Sequence, residues 1–362
     1  MLYYKKLTNL AKIMPFVART ETMKSWFLDR SEQKSDFKLF RKTLRRIILL
    51  LFLRQWRLRQ EKITPYVKRI LWLHTANHIG DSLMRLSVAT LLSNFEVDLC
   101  ANTSVTNLFL SGKLFKQVFN FDQDEKLILK QQYDLIVLDD LKSGSIKRKK
   151  KLFSKIPFVT IHEFFDYCRD DFNFIFFSWH RMAYLLRDIK FYEDIESQAK
   201  LTIDIPAEVS QTINKLPIES NTIAVAVGGK EKDRTYQAWP VVIKGLLKHD
   251  PNRKIILLGS DNGLKIRDSI IVETRSENII DCVAQYSLLE TAAIIKKCCM
   301  LICADGGLLH IANAAGTPSI SLFAAVKPEL RFTRNIISHA LYTQNDVNHI
   351  DPDEIIKLAI TG

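Results

Sequence analysis

The residues best suited to chemistry in this sequence stand just after short apolar runs. Met300–Cys303 leads into Ala304-Asp305-Gly306-Gly307-Leu308-Leu309-His310-Ile311-Ala312. Asp305 suits the cap of a helix. The two glycines let an anion approach the free N–H groups of Gly306, Gly307 and Leu308 at the positive end of the helix dipole. His310 falls about one turn into the same helix, within reach of a phosphate oxygen. Such a segment is a phosphate cradle or, taken alone, an ordinary capped helix with a packed histidine.

Three further segments repeat the placement. Val227-Gly228-Gly229 opens a loop carrying Lys230, Lys232 and Arg234 ahead of Trp239-Pro240. Those cations suit a diphosphate that gains charge as its substituent departs, and a solvated charged loop is the competing reading. Gly259, Ser260 and Asp261 end the next apolar run; the glycine permits close approach, and Ser260 or Asp261 offers partners to ribose hydroxyls. In His74-Thr75-Ala76-Asn77-His78-Ile79-Gly80-Asp81-Ser82, Asp81 stands at a strand-to-helix turn, placed either to act as a general base or to cap the helix.

The stretch from Asp305 to Phe323 resembles the C-terminal signature of glycosyltransferase family 9, the lipopolysaccharide heptosyltransferases. That signature runs Asp, Ser or Thr, Gly, two variable residues, His, an Ala-rich helix, Gly-Thr-Pro and an apolar strand. Asp305, Gly307, His310, Ala312, Ala315, Gly316, Thr317, Pro318, Leu322 and Phe323 match it, while Gly306 stands where Ser or Thr is usual. The Gly80-Asp81 turn resembles the family's N-terminal motif, with Ser87 in place of its usual proline. Gln237 occupies the position, two before Trp239-Pro240, where many members carry lysine. The resemblance runs over residues 70–360 and is clearest in the C-terminal half; residues 1–68 have no counterpart in the short form of the family.

By that resemblance the fold is α/β: two Rossmann-like domains facing a cleft (GT-B type), with a basic helical N-terminal extension. The expected boundaries are 1–68 for the extension, 69–195 for the acceptor domain and 196–362 for the nucleotide-sugar domain. The implied reaction moves a sugar, heptose from ADP-heptose in the first instance, onto a lipopolysaccharide core or other lipid-linked saccharide with inversion. Asp81 is then the base. Lys232, Arg234, Asp305, Gly306, Gly307, Leu308 and His310 hold the donor diphosphate, and Gly259, Ser260 and Asp261 hold the nucleoside. No metal and no cofactor beyond the donor substrate is implied. The alternatives are a UDP-hexose or UDP-N-acetylhexosamine donor on the same fold, or a non-catalytic, membrane-associated relative that binds nucleotide sugar.

The elements needed to position these residues are legible as alternating β-branched runs and helical stretches, the mark of βαβ units and parallel sheets. Ile70–His74, Val97–Ala101, Gln117–Phe121, Leu135–Leu138 and Phe158–Ile161 read as strands, with helices after the first four. A helix over Phe172–Ile189 and a linker over Lys190–Gln198 follow. Thr222–Val227, Lys254–Leu258, Met300–Cys303 and Ser319–Phe323 are the strands of the second half, with helices after the first three and a short extra strand at Asn278–Ile280. A last helix, Pro352–Ile360, is expected to fold back across the first domain.

Hydrophobic residues make up 47% of the 362 residues, enough to bury real cores and to exclude a disordered chain. The net charge of +12 is concentrated in residues 1–70 and in Lys142–Lys155, which points to an anionic partner. A basic helix over Phe40–Lys62, with Arg41, Arg45, Arg46, Arg54, Arg57 and Arg59 among Ile, Leu, Phe and Trp, either lies in the plane of an anionic membrane or packs on the protein. No nucleic-acid module is recognisable, so nucleic acid is not the expected partner. Six cysteines without a Cys-x-x-Cys pair read as buried thiols of a reducing compartment. The N-terminus lacks signal-peptide order, and the longest apolar run near it, Ile47–Leu53, is too short to span a bilayer. The expected location is cytoplasmic, peripheral on the inner face of the cytoplasmic membrane.

Overall fold

The computed structural model describes residues 2–13, 35–110, 112–166, 173–324 and 326–361. Two compact units divide the chain: Met1–Ala199 with Glu329–Arg334, and Lys200–Pro328 with Asn335–Gly362.

In the first unit, β1 (Arg69–Leu73), β2 (Glu96–Ala101), β3 (Val118–Asn120), β4 (Leu135–Leu138) and β5 (Phe158–Thr160) form one sheet in the order β3-β2-β1-β4-β5. Every pairing is parallel. Helices Ile79–Leu86, Thr103–Phe109, Glu125–Ile128 and Ser143–Leu152 follow the first four strands. Strands so covered are buried on both faces, which is why β4 is an unbroken apolar run.

The second unit holds β6 (Ile223–Ala226), β7 (Ile255–Leu258), β8 (Ile279–Asp281), β9 (Met300–Ala304), β10 (Ser319–Ala324) and β11 (Ser338–Thr343), ordered β11-β10-β9-β6-β7-β8 and again all parallel. In each unit the strand order reverses beside the first strand. The neighbouring carboxyl ends of β1 and β4, and of β6 and β9, are therefore the topological switch points where open α/β sheets bind ligands.

Several elements differ from the sequence reading. β11 was not expected. The helix after β5 runs Phe174–Leu185, capped by Asn173, whose side chain accepts from Ile175 N and Phe176 N; Phe172, the expected first residue, and Cys168 lie outside the described residues. The last helix, Pro352–Thr361, packs on Trp239–His249 within the second unit. Its Ile355 and Ala359 belong to the second core with Val225, Leu257 and Ile302.

Of residues 1–68, helices Leu2–Ile13 and Asp36–Phe52 are described. The second starts earlier and ends sooner than the Phe40–Lys62 expectation. Arg54 takes a left-handed conformation (φ 57°) and Gln55 N–H bonds back to Leu50 O at 2.7 Å, which closes the helix. Leu50 enters the first core beside Leu71, Leu73 and Phe158. Cys100, Cys282, Cys298, Cys299 and Cys303 are free thiols.

Candidate active site

The second unit gathers most of the expected site at the β6/β9 switch point. β9 runs to Ala304, and Asp305 N–H still bonds to Leu322 O at 2.8 Å. Asp305 is thereby kept in line with the strand, and the helix Gly307–Ala315 starts with Gly306 as its N-cap and no side-chain cap. The expected cap by Asp305 is therefore corrected: the buried carboxylate turns to Arg234, whose Nη1 lies 3.3 Å from Oδ2, and its Oδ1 is 4.0 Å from His310 Nε2. Among the described residues no side chain takes up the N–H groups of Gly307 and Leu308, which stand as donors at the positive end of the dipole.

Arg234 arrives on the loop after β6. Gly228 has φ of +89°, and a Cβ there would sit 2.8 Å from the Gly263 backbone; one on Gly263 would come 2.7 Å from Val227 O. Only glycines allow the β6 and β7 loops to lie this close. Lys232 and Arg234 form a short 3-10 turn in which Lys232 is exposed and Arg234 half-buried. Beyond it Tyr236 and Trp239 pack edge to face at 4.9 Å, with Tyr236 Oη donating to Ile350 O. Asn348, which the sequence reading missed, holds the loop: its Oδ1 accepts from Gln237 N at 2.7 Å and its Nδ2 donates to Thr235 O at 3.1 Å. Gln237 folds its amide back onto Thr235 O.

Gly259, Ser260 and Asp261 follow β7, beside β6. Ser260 and Asp261 are exposed, and Ser260 Oγ donates to Asn262 Oδ1 at 2.9 Å.

Asp81 is in the first unit, after β1. It is the third residue of Ile79–Leu86, whose N-cap is His78, so it does not cap that helix. Half-buried, it makes no hydrogen bond or ion pair among the described residues. A carboxylate so placed keeps its lone pairs for a ligand proton.

Beneath it lies a buried polar chain that sequence reasoning did not find. His74 Nδ1 is 3.0 Å from Asp139 Oδ1 and Nε2 is 2.8 Å from Ser82 Oγ, which itself donates to His78 O. Asp139 also accepts from Trp72 Nε1 at 3.1 Å and Thr75 N at 2.9 Å. Burial pushes the Asp139 carboxyl upward, but His74, with Arg85 and the Trp72 donor, outweighs burial and holds it well below the usual carboxylate range. The chain ties the end of β4 to the start of the Asp81 helix. The signal was Asp139 immediately after the apolar run of β4, next to a strand that ends in His74.

The Asp-x-Asp spacing occurs at Asp122–Asp124, where Asp124 accepts from Asn120 N, and at Asp351–Asp353, where Asp351 accepts from Asp353 N. Among the described residues no three His, Cys, Asp or Glu side chains cluster as metal ligands.

Residues 179–349 match the family model of glycosyltransferase family 9 (heptosyltransferase). No curated protein sequence matches the chain significantly. Among solved structures, the fold is similar to a glycosyl transferase family 9 protein from Veillonella parvula (TM-score 0.68, 13% identity, 83% of this chain and 99% of that one). It is also similar to E. coli ADP-heptose lps heptosyltransferase II (0.60, 14%, 80% and 96%). A third likeness is to E. coli heptosyltransferase WaaC with ADP-2-deoxy-2-fluoro heptose (0.59, 14%, 80% and 98%). At these identities the likeness establishes the fold, that of GT-B heptosyltransferases. The turn bearing Asp81 precedes the family match, whereas the Arg234 loop and the Asp305–His310 segment lie inside it. Within the second unit and the residues leading into it, 179–349, the chain thus matches the glycosyltransferase family 9 (heptosyltransferase) model.

Proposed function

We propose that the chain is an inverting glycosyltransferase that moves heptose from ADP-heptose to a hydroxyl of a lipopolysaccharide core or another lipid-linked saccharide, working at the inner face of the cytoplasmic membrane. The observation that carries this reading is the helix start at Gly306–Leu308, without a side-chain cap, beside Arg234, Asp305 and His310: backbone donors and a guanidinium converge where a diphosphate develops charge. Lys232 and Arg234 neutralise the departing diphosphate, and Gly259, Ser260 and Asp261 receive the nucleoside. Asp81, unpaired among the described residues, takes the proton of the acceptor hydroxyl. Cationic side chains and backbone dipoles supply the leaving-group stabilisation, so no metal or cofactor is part of the proposal. An ADP-sugar analogue bound to the WaaC relative supports the choice of donor.

Thermal-shift measurements with ADP-heptose, UDP-glucose, UDP-N-acetylglucosamine and GDP-mannose test it, because a ligand selective for the native state raises the midpoint. ADP-heptose alone is expected to do so. A shift with a UDP sugar instead moves the proposal to the alternative donor, and no shift with any of the four overturns it. Release of ADP on adding acceptor distinguishes an enzyme from a non-catalytic binding relative.

A further inference from the structure

The Asp36–Phe52 helix satisfies one face inside the protein and leaves a second apolar face outside. Leu39, Thr43, Arg46 and Leu50 are buried, and the inward face is fixed by polar contacts as well. Arg46 Nη1 donates to Phe164 O at 3.1 Å, and Lys42 Nζ pairs with Asp166 at 2.9 Å. On the opposite side Phe37, Arg41, Arg45, Ile48 and Phe52 follow one another at spacings of three and four residues, a single helical stripe with Leu51 beside it. There Phe37 is 58% exposed, Ile48 55%, Leu51 56% and Phe52 82%. Arg41 and Arg45 are exposed between them, with the Arg41 guanidinium 5.8 Å from the centre of the Phe37 ring. Packing on the fold and presenting an apolar face outward are therefore not exclusive for this helix.

We infer that this stripe is the surface by which the protein docks flat on an anionic lipid bilayer, which rests on the membrane-associated reading above and gives it an address. Aromatic and aliphatic side chains enter the acyl boundary while the two arginines meet lipid phosphates. A second copy of the chain is a poor occupant, because an isologous contact would set Arg41 and Arg45 against their own copies. Nucleic acid would meet four large apolar side chains with no base-reading module. No helix among the described residues is long and apolar enough to cross a membrane, so docking is interfacial. The rigid inner face means that the bilayer holds the first sheet, with Asp81, in one orientation.

Flotation of the full chain with phosphatidylcholine vesicles, with and without phosphatidylglycerol, tests the surface. Arg41→Glu/Arg45→Glu and Phe37→Ser/Phe52→Ser are each expected to weaken partition onto phosphatidylglycerol vesicles by about tenfold or more, with thermal midpoints near wild type because the side chains are exposed. Wild-type binding should fall with added salt and be weak on pure phosphatidylcholine. Unchanged partition of both double variants overturns the proposal, as does a wild-type dimer that the Phe37→Ser/Phe52→Ser variant dissociates. ADP binding, measured on the same samples, separates the two readings: variants that bind ADP but not vesicles place the defect at this surface, whereas a wild type that binds vesicles but no nucleotide sugar sinks only the catalytic reading.

Discussion

Arg234 Nη1 stands 3.3 Å from an oxygen of the buried Asp305 carboxylate, although the two residues follow different strands. The pair offsets a negative charge directly beside a helix start that is otherwise favourable to anions. Without Arg234, Asp305 would repel a diphosphate there.

Arg234→Ala is therefore expected to weaken ADP binding about tenfold to a hundredfold, the range for a charge-assisted hydrogen bond of roughly 1.5–3 kcal/mol. Adding Asp305→Asn should recover part of that loss by removing the unopposed charge. Isothermal titration of the single and double variants gives the cycle; strictly additive losses would mean that the two side chains do not act together.

Asp81→Asn keeps the shape of its turn and removes the proposed proton acceptor. Turnover should fall by about a hundredfold to ten-thousandfold, with ADP-heptose affinity unchanged. ADP release in single-turnover assays checks the first, and titration of the donor checks the second. Wild-type rates in the variant would exclude Asp81 as the base.

Gly228→Ala combines a disfavoured φ of +89° with a Cβ 2.8 Å from the Gly263 backbone. A loss of about 1–3 kcal/mol is expected, seen as a lower thermal midpoint and weaker ADP binding. Gly144→Ala, where nothing lies within 4 Å of the added carbon, should leave both unchanged and serves as the control.

Asp139 makes stability depend on pH in a definite direction. Its folded pKa lies below that of an exposed aspartate, about 3.9, so its contribution is complete above that pH and is lost as pH falls through the lower, folded value. Asp139→Asn should lower the midpoint at pH 7 by about 6–12 °C, the cost of breaking a buried pair. Melting curves taken below pH 4 should show the gap to wild type narrowing. A gap that stays constant would mean that Asp139 gains nothing from its charge.

Strands buried on both faces, such as Leu135–Leu138 and Ile255–Leu258, are plain in the sequence because burial demands unbroken apolar runs. β11 is not, for it sits at a sheet edge where no residue of Ser338–Thr343 is fully buried and no apolar run is needed, and its backbone pairing with β10 holds it in place. The strand-to-helix turn at Asp305–His310 was legible because its pieces are contiguous. The N-cap was misassigned since the sequence does not reveal that the β10 ladder reaches Asp305. His74–Asp139 and Gln237–Asn348 join residues 65 and 111 positions apart, contacts that only the strand order and packing create.

Asn348 also bears on how the carboxyl end of the chain tolerates alteration. The amide that clasps Thr235 and Gln237 lies just ahead of the final helix, itself seated on the helix those residues introduce. Trimming or fusing the tail is thus expected to loosen the loop that carries Arg234, and with it any nucleotide recognition that this loop supplies.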